Sequence, residues 1–564
     1  MAADLEALFS DSPESSGMPG ISHSSELQRV LSLPLRDPLP LADRLYIEVT
    51  RRLKTPEGTM TLYPLQALAL VEAYEYRGLL ALFPVGEGKT LLSYLLPLVL
   101  PVRRPLLIVP AALVEKTEVE FAELRAHWQY APMQVTSYKM ISTHPELLNE
   151  LAPDCLICDE VHCLKDPTSA VTKRVWRYIR ACAKAHKRLT FYGMSGTITA
   201  RSFREWWHIQ QWALLPELQP LPYQHPHMLS WCEALDEKIK VRRPVGALAA
   251  FSPEDPTPSG IRAAFGQRLR LVPSIIASEG SDIAASIEVR VTQYNVPAIT
   301  DAVVELRRAW ATPDEEFTEA ADLWRHAREM GNGFYYKWRV PGPPAWMEAR
   351  RAFNAFVRSV LHRSRTYDSM GQVKKAFPDS PEVATWAAIE HSFRPETVPV
   401  WFCEGVLQYA AAWAARTHGI VWVEHRAVGH RLEDNYGLPY YGELGRTRDG
   451  RRLIDLVDKD GGPGIPCVVS QKAGSQGFNL QYQWCENLIL NMTPIGTQVE
   501  QLMGRTHRQG QRADTVRFEF LIAVAEQRSD FENLQRDSLY EQQITGQRQK
   551  LCLADVTNSG ALAA

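Results

Sequence analysis

The sequence predicts an α/β protein with two parallel-sheet lobes and a largely helical insertion between them. Continuous apolar runs, such as residues 106–109, are typical of parallel strands that are covered on both faces. Runs of this kind alternate with helical patterns up to about residue 215, and a second alternation begins with the run at residues 420–423. Between the two, the chain is first rich in proline and then helical in pattern.

These patterns divide the chain into five predicted segments. Residues 1–24 are rich in serine, proline and acids and are expected to form a disordered tail. Residues 25–215 form the first lobe, and residues 416–525 form the second. Residues 216–415 form the insertion, and residues 526–564 a C-terminal helix followed by a tail.

Composition excludes several classes of protein. With 45% hydrophobic and 23% charged residues among 564, the chain is typical of a soluble globular protein of two to four domains. The most apolar segment, residues 91–109, is broken by prolines and arginines, so no membrane partner is expected. An odd count of nine cysteines, several in apolar runs, indicates free thiols in a reducing compartment. We expect a cytoplasmic location in a bacterium or a phage-infected cell, or the nucleus in a eukaryote.

A glycine-rich stretch lies between an apolar run at residues 79–82 and a helix-like run at residues 91–100. Its residues are Gly86, Glu87, Gly88, Lys89 and Thr90. A turn of this kind, leading from a strand into a helix, directs backbone N–H groups at a polyphosphate. Lys89 would then reach the outer phosphates, and the Thr90 hydroxyl would bind Mg²⁺.

The glycine motif is incomplete, because the full phosphate-loop pattern requires glycine at position 83 and the chain has Phe83. A glycine turn before a buried helix is the alternative. A second motif supports the first interpretation, since Asp159 and Glu160 end an apolar strand about seventy residues later. Asp159 can hold Mg²⁺ through water and Glu160 can polarise an attacking water, whereas alone the pair would indicate a solvated turn.

Cys155 and Cys158, with His162 nearby, have spacing that resembles a zinc site. Side chains three apart on a strand point to opposite faces, so both cannot bind one metal without breaking the strand that carries Asp159. Zinc is therefore not expected.

Three further positions carry candidate roles. The Gln66 amide offers a donor and an acceptor that match the edge of adenine, although a surface glutamine on an amphipathic helix is equally compatible. Ser195 ends a strand and would serve as a hinge or relay that senses the phosphate. Arg505 and Arg508, three residues apart, would share a helix face and meet the γ-phosphate, or else lie in solvent.

Local charge predicts where a polyanion would bind, because the whole chain has a net charge of −3. Residues 323–375 contain eleven Lys and Arg against three Asp and Glu, and residues 331–339 interleave aromatics with cations. Such a segment can stack bases and hold phosphates, or it can be a basic helical face whose aromatics serve the core. Residues 111–116 and 135–139 offer hydroxyls and lysines that would bind a phosphodiester or cap helices.

Taken together in this order, over roughly residues 60–520, the motifs resemble those of superfamily 2 helicases, and within them the Swi/Snf-like DNA translocases. The resemblance is most specific at residues 470–480, of the form S-x-x-A-G-x-x-G-x-N-L, and at residues 501–511, of the form Q-x-x-G-R-x-H-R-x-G-Q. Departures at Phe83, Val161 and Lys472 remove no catalytic group, and the compact form is more similar to phage or bacterial members.

The resemblance implies two RecA-like lobes that bind ATP and Mg²⁺ between them. It assigns ATP binding to Gln66, Gly86, Glu87, Gly88, Lys89 and Thr90, Mg²⁺ binding to Thr90 and Asp159, and catalysis to Lys89, Asp159, Glu160, Gln501, Arg505 and Arg508. Glu160 would be the base, the arginines would approach the triphosphate opposite Lys89, and nucleic acid would lie across both lobes.

The expected function is ATP hydrolysis, stimulated by nucleic acid, that drives movement along DNA, with duplex favoured. A strand-separating DNA helicase of replication or repair would share every ATPase motif. An RNA helicase and a nucleotide-gated scaffold that binds nucleic acid are further alternatives.

Overall fold

The computed structural model describes residues 19–563, with the exception of residues 85, 200, 238, 240, 241, 280–282, 313, 314, 364–369, 459–461, 463 and 477. Most of the predicted N-terminal tail, residues 1–24, lies outside the described residues.

The helices are α1 (Ser25–Leu31), α2 (Pro38–Leu53), α3 (Pro64–Tyr76), α4 (Lys89–Val99), α5 (Val114–Leu124), α6 (Tyr138–Thr143), α7 (Leu147–Leu151), α8 (Ala170–Lys184), α9 (Trp207–Ala213), α10 (His225–Leu235), α11 (Pro258–Leu269), α12 (Pro297–Ala309), α13 (Ala320–Met330), α14 (Pro344–Arg363), α15 (Met370–Ala376), α16 (Pro381–Ile389), α17 (Gly405–Thr417), α18 (Arg426–Tyr436), α19 (Gly496–Thr506), α20 (Ala525–Thr545) and α21 (Lys550–Leu553). The strands are β1 (Gly78–Leu82), β2 (Pro105–Val109), β3 (Gln134–Ser137), β4 (Cys155–Asp159), β5 (Thr190–Ser195), β6 (Ile275–Ala277), β7 (Ser286–Asn295), β8 (Ala311–Thr312), β9 (Glu315–Glu316), β10 (Phe334–Trp338), β11 (Thr397–Trp401), β12 (Ile420–Val423), β13 (Tyr440–Tyr441), β14 (Cys467–Ser470), β15 (Glu486–Leu490), β16 (Thr515–Ile522) and β17 (Asp555–Ala563).

The chain forms two compact units, and each is assembled from separate stretches of sequence. The first contains the residues up to Ala284 together with Ile495–Gly510 and Leu534–Leu553. The second contains Ala285–Pro494, Gln511–Asn533 and the residues from Ala554 onward. Three predicted segments are thereby divided. Residues 216–284 of the predicted insertion belong to the first unit, and so do Ile495–Gly510 from the predicted second lobe and Leu534–Leu553 from the predicted C-terminal segment.

The first unit contains a six-stranded sheet in the order β3-β2-β4-β5-β1-β6, and every neighbouring pair is parallel. In its centre, Leu80 of β1 and Cys158 of β4 both pair with Gly193 of β5. Because parallel strands end at the same edge, the loops that follow β1, β4 and β5 lie side by side. The three predicted motifs that follow these strands are therefore neighbours in the fold.

The sheet of the first unit is buried on both faces, which explains the continuous apolar runs. One core cluster contains Cys158 of β4 with Val175 and Tyr178 of α8. The other contains Cys155 of the same strand with Leu92 of α4. Cys155 and Cys158 therefore point to opposite faces, as the strand spacing predicts. All nine cysteines carry free thiols.

The second unit contains a seven-stranded parallel sheet in the order β13-β14-β12-β15-β16-β7-β17. The prediction of an α/β fold with two parallel sheets is confirmed. Residues 300–415 contain helices α13 to α16, as predicted, but also the antiparallel pair β10 and β11. At the C-terminus, the predicted helix is α20, whereas the predicted tail contains β17, which pairs with β7. Among the described residues, no helix has the length and apolar character to span a membrane.

Candidate functional site

The glycine loop after β1 adopts a backbone that other residues rarely tolerate. Gly86 has φ of +103° and Gly88 has φ of +75°, both in the region that favours glycine. A Cβ atom at Gly88 would also collide with the Gln66 side-chain amide. Gly88 is the N-cap of α4, so the loop leads directly into the positive end of an eleven-residue helix. This geometry suits an anion such as a phosphate.

Lys89 is the first residue of α4, and its side chain is largely buried within the loop. Its Nζ donates to the carbonyl oxygen of Phe83 at 3.1 Å and lies 3.2 Å from Oε1 of Glu160. Phe83, which replaces the glycine of the full pattern, is 1% exposed and packs in the core. The Phe83 side chain therefore points away from the loop, and only its backbone faces Lys89.

The acid pair lies at the end of β4, next to Lys89. Glu160 has φ of +53°, and its backbone N–H donates to Oδ1 of Asp159 at 3.0 Å. The other carboxylate oxygen of Glu160, Oε2, is 3.2 Å from Nδ1 of His162 and 3.4 Å from the Ser195 hydroxyl. His162 and Ser195 are themselves 2.9 Å apart. Ser195 thus contacts the acid pair at the place where the sequence predicts a relay.

The pKa values of the two acids of the pair are shifted in opposite directions. Burial raises the pKa of Glu160, but the Lys89 ammonium and His162 outweigh burial and hold this pKa below its usual range. Burial and the Glu160 carboxylate together raise the pKa of Asp159. The site therefore places an ionised Glu160 beside a carboxyl group whose charged form is disfavoured by burial and by the Glu160 charge.

The two predicted arginines belong to the same compact unit as the glycine loop. The Arg508 Nη2 atom lies 3.3 Å from the point that a Cβ at Gly86 would occupy. Arg505 is 4% exposed, and burial, reinforced by Arg508, lowers its pKa, while Glu160 acts in the opposite direction. The expectation that the arginines share a helix face is wrong, because α19 ends at Thr506 and Arg508 lies beyond it. The solvent-exposed alternative does not fit Arg505.

Gln66 and Gln501 both lie in the interior of this unit. Gln66 is 3% exposed, which excludes the interpretation as a surface residue. Its Oε1 accepts from the Tyr63 N–H at 2.9 Å and its Nε2 donates to the Glu87 carbonyl at 3.0 Å, so it ties the start of α3 to the glycine loop. Gln501 lies on α19 and is 9% exposed. Adenine recognition by Gln66 and a catalytic role for Gln501 stay predictions.

The C-terminal segment Leu534–Leu553 supplies contacts that sequence reasoning missed. The Gln547 amide donates to the Leu82 carbonyl at the end of β1. Lys550 holds Glu500 of α19, with its backbone N–H 2.8 Å from Oε2 and its Nζ 3.9 Å from Oε1. Because such pairs have no local sequence pattern, nothing in this polar segment indicated them. The Gln547 contact holds the end of β1, and the Lys550 contacts brace the helix that carries Arg505.

The residues present suit Mg²⁺ as an ion shared with a phosphate ligand. Thr90 is the second residue of α4 and Asp159 is the last of β4, so a hydroxyl and a carboxylate, both hard oxygen donors, belong to this edge of the sheet. Within the described ranges, no group of three or more His, Cys, Asp or Glu side chains could hold a metal by itself. A site with few protein ligands is typical of Mg²⁺ that is bound together with substrate phosphates.

The basic aromatic segment, residues 331–339, lies in the second unit and is only partly available to a ligand. Phe334 is fully buried in the core, so it cannot stack on a base. Nearby cations are paired with acids: Arg328 lies 3.5 Å from Asp530, and Arg339 lies 3.7 Å from Glu396. For Phe334, the interpretation as a core aromatic is the better one.

One predicted phosphodiester contact, in residues 135–139, and the start of the motif at residues 470–480 make contacts within the fold. The Ser137 side chain accepts from the Met140 N–H and caps α6, which is the capping alternative. In the second unit, Ser470 is buried at the end of β14, and Gln471 donates to the carbonyl of Asn491 at 2.8 Å. Lys472 forms an ion pair with Glu443 at 2.8 Å.

No family model matches this chain, and a search of curated proteins also gave no match. The chemistry of the site is therefore argued from its own residues.

Proposed function

We propose that this chain hydrolyses ATP in response to nucleic acid and uses the hydrolysis to move along duplex DNA. One observation carries the proposal: Lys89, Glu160 and Arg508 gather around a glycine loop at the carboxyl edge of a parallel sheet. Lys89 lies 3.2 Å from Glu160, and Arg508 lies against Gly86. A cation at the loop, an ionised carboxylate and a second cation are the groups that phosphoryl transfer to water requires.

Each residue has a separate part in the proposed reaction. The glycine-loop N–H groups and Lys89 bind the outer phosphates, and Arg505 and Arg508 stabilise the charge that develops on them. Glu160 orients the attacking water and accepts its proton at a carboxylate oxygen. His162 and Ser195 hold Oε2 of Glu160 and thereby fix the direction of that carboxylate.

Thr90 and Asp159 would hold Mg²⁺, which when bound neutralises phosphate charge and lowers the barrier to displacement. Burial raises the pKa of Asp159, and a divalent cation beside it would lower that pKa. Gln66 holds the loop through Glu87 and, in this proposal, lies close enough to the nucleotide to contact the base.

Movement along DNA is the part of the proposal that depends on the motif resemblance. Residues 470–480 and 501–511 have the forms found in Swi/Snf-like translocases, whose fold is a pair of RecA-like lobes. Contacts to phosphates carry no sequence information, and this suits a motor that runs on any sequence.

Replacement of Lys89 by alanine tests the proposal. We expect ATP turnover stimulated by duplex DNA to be lost, because the outer phosphates lose their cation, while thermal unfolding still shows a folded protein. Duplex DNA, single-stranded DNA and RNA are compared as stimulators with the wild-type protein. Duplex preference supports translocation, and single-strand preference favours strand separation. Turnover that persists in the Lys89→Ala protein would exclude the assigned site, and a wild type that no nucleic acid stimulates would exclude the motor.

A further inference from the structure

Helix α8 carries an uninterrupted row of positive charge on its outer face. Its fifteen residues, Ala170–Lys184, include five lysines and arginines and no acid. One of these, Arg174, is structural, since it donates to the Ile141 carbonyl at 2.6 Å. The other four are exposed and line a depression of about 500 Å³ together with Trp176 and Ala181. These four, called the α8 stripe here, are Lys173, Arg177, Arg180 and Lys184.

The charges of the α8 stripe are not neutralised by ion pairs within the part of the chain that the structure describes. None of the ion pairs formed among the described residues includes a member of the stripe. Asp166 interacts electrostatically with Lys173 without forming an ion pair. Like charges one helical turn apart repel each other, so the stripe costs the fold a little stability. An external anion would remove that repulsion.

The helix beneath the stripe is held firmly. Val175, Tyr178 and Cys182 on its inner face are buried in the core of the first unit. Its start is fixed by the Ser169 cap and by Thr172, whose hydroxyl donates to the Leu164 carbonyl at 3.1 Å.

The aromatic residue within the depression is also fixed. The Trp176 ring stacks on His208 at 6.1 Å and meets Trp212 edge-on at 5.9 Å. With its helix and its floor both anchored, the stripe presents its charges without large loss of backbone entropy.

We propose that the α8 stripe binds the phosphate backbone of nucleic acid, at a surface separate from the nucleotide site. From Lys173 to Lys184 the helix rises about 16 Å. Duplex DNA carries a charge about every 1.7 Å along its axis, so a duplex offers phosphates to all four cations whatever its sequence. Because the Trp176 ring is half-buried and packs against His208 and Trp212, contact through phosphates suits the surface better than base stacking.

The choice of nucleic acid as the partner rests on the proposed function. An acidic peptide is the competing polyanion, and it differs from DNA in having no fixed spacing of charges. The two are separated experimentally, because the number of phosphates that a protein neutralises is measured by the salt dependence of its DNA affinity.

The test compares wild type with a quadruple variant, Lys173→Gln, Arg177→Gln, Arg180→Gln and Lys184→Gln, and with the double variant R177Q/R180Q. The matched control is R51Q/R52Q, which removes two exposed arginines from α2 that already pair with Glu48. Binding of a labelled duplex is followed by fluorescence anisotropy from about 50 to about 200 mM salt. Thermal unfolding checks that each variant is folded, and ATP turnover is measured without DNA.

Each lost phosphate contact lowers the slope of log affinity against log salt by about 0.9. The slope is therefore expected to fall by about 3 to 4 in the quadruple variant and by about 2 in the double variant. The control keeps the wild-type slope, and ATP turnover without DNA is unchanged in all three variants.

A quadruple variant with the wild-type slope overturns the stripe as a DNA surface and leaves the proposed ATPase standing. Weaker binding of poly-glutamate with unchanged DNA binding would also overturn it, in favour of an acidic protein partner. A wild type that hydrolyses ATP and binds no nucleic acid would overturn both the stripe and the motor, whereas the Lys89→Ala result judges the ATPase alone.

Discussion

Glu160→Gln is the substitution that tests the site most directly, because it removes one charge and keeps the shape of the side chain. Glu160 faces Lys89 through Oε1 at 3.2 Å and faces His162 and Ser195 through Oε2. The side chains of Lys89 and Glu160 are only 9% and 14% exposed. The substitution therefore leaves a buried ammonium without its counter-charge.

The substitution is expected to change two quantities, the free energy of unfolding and the rate of turnover. Removal of one member of a buried ion pair costs about 3–5 kcal/mol, and the amide oxygen that replaces Oε1 can still accept from Lys89, so we expect about 3 kcal/mol. For a unit of this size that corresponds to a fall in Tm of about 4–5 °C. Loss of a general base lowers turnover by about 10²-fold to 10⁴-fold.

The assay measures both quantities in the same preparations. Phosphate release is followed with and without duplex DNA, at a temperature well below the Tm of the variant, and unfolding is followed by calorimetry. The control is Glu75→Gln, which makes the same chemical change at an exposed position of α3. This control is expected to leave both turnover and Tm at the wild-type value.

Two results would refute the reasoning in different ways. Turnover within about threefold of wild type, far short of the expected loss, would exclude Glu160 as the base. An unchanged Tm would show that the contact between Lys89 and Glu160 contributes nothing to stability.

Arg508→Ala is expected to lower turnover by roughly 10³-fold or more while a fluorescent ATP analogue still binds, and equal loss of binding and turnover would exclude its role on the transferring phosphate. Gly86→Ala places a Cβ 3.3 Å from Nη2 of Arg508 on a backbone with φ of +103°, so we expect a cost of about 1–3 kcal/mol and slower turnover. Its control is Gly371→Ala, where a Cβ meets no described atom within 4 Å apart from the backbone of its own helix; equal Tm values for both would contradict the account. Burial raises the pKa of Asp236 from 3.8 to about 6. Between these two pH values the folded state keeps a proton on Asp236 that the unfolded chain releases. The contribution of Asp236 to the free energy of unfolding is fully present below about pH 4 and is lost as the pH rises through about 6. The free energy of unfolding falls by about 3 kcal/mol over this range. Asp236→Asn should therefore flatten the change in Tm between about pH 4 and pH 7 that calorimetry measures, and an unaltered pH profile would reject the buried carboxyl as its source.

The parallel strands and the motif positions were predictable because their causes are local. A strand buried on both faces must be apolar throughout, so the run at residues 79–82 indicated β1 without knowledge of its neighbours. Likewise, a backbone φ of +75° before a lysine favours glycine, so the glycine at position 88 indicates the turn from the sequence alone. Where the chain needs a particular residue for a local reason, the reason can be read from the sequence.

The braces around the site were not predictable, because they join residues that are far apart in the chain. Gln547 lies 465 positions from Leu82, whose carbonyl it contacts, and Lys550 reaches Glu500 across 50 positions. Strand β17 pairs with β7 although its sequence is polar and short of strand signals. Pairing over such distances is decided by packing, and it leaves no periodicity that a single sequence could reveal.

A count of local charge predicts an anion-binding surface only where the folded chain places no acid beside the cations. Residues 323–375 have a large excess of positive charge, yet Glu315, Asp530 and Glu396 from outside that range pair with its arginines. In contrast, the cations of α8 lie on an amphipathic helix whose inner face is ordinary core, and this pattern alone does not indicate a ligand. The electrostatic field outside a segment depends on which charges remain unpaired after folding. A cation with an acid close beside it exerts almost no net field at points more than a Debye length away. The proposed DNA surface on α8 therefore rests on cations that form no ion pair among the described residues, and not on a count of local charge.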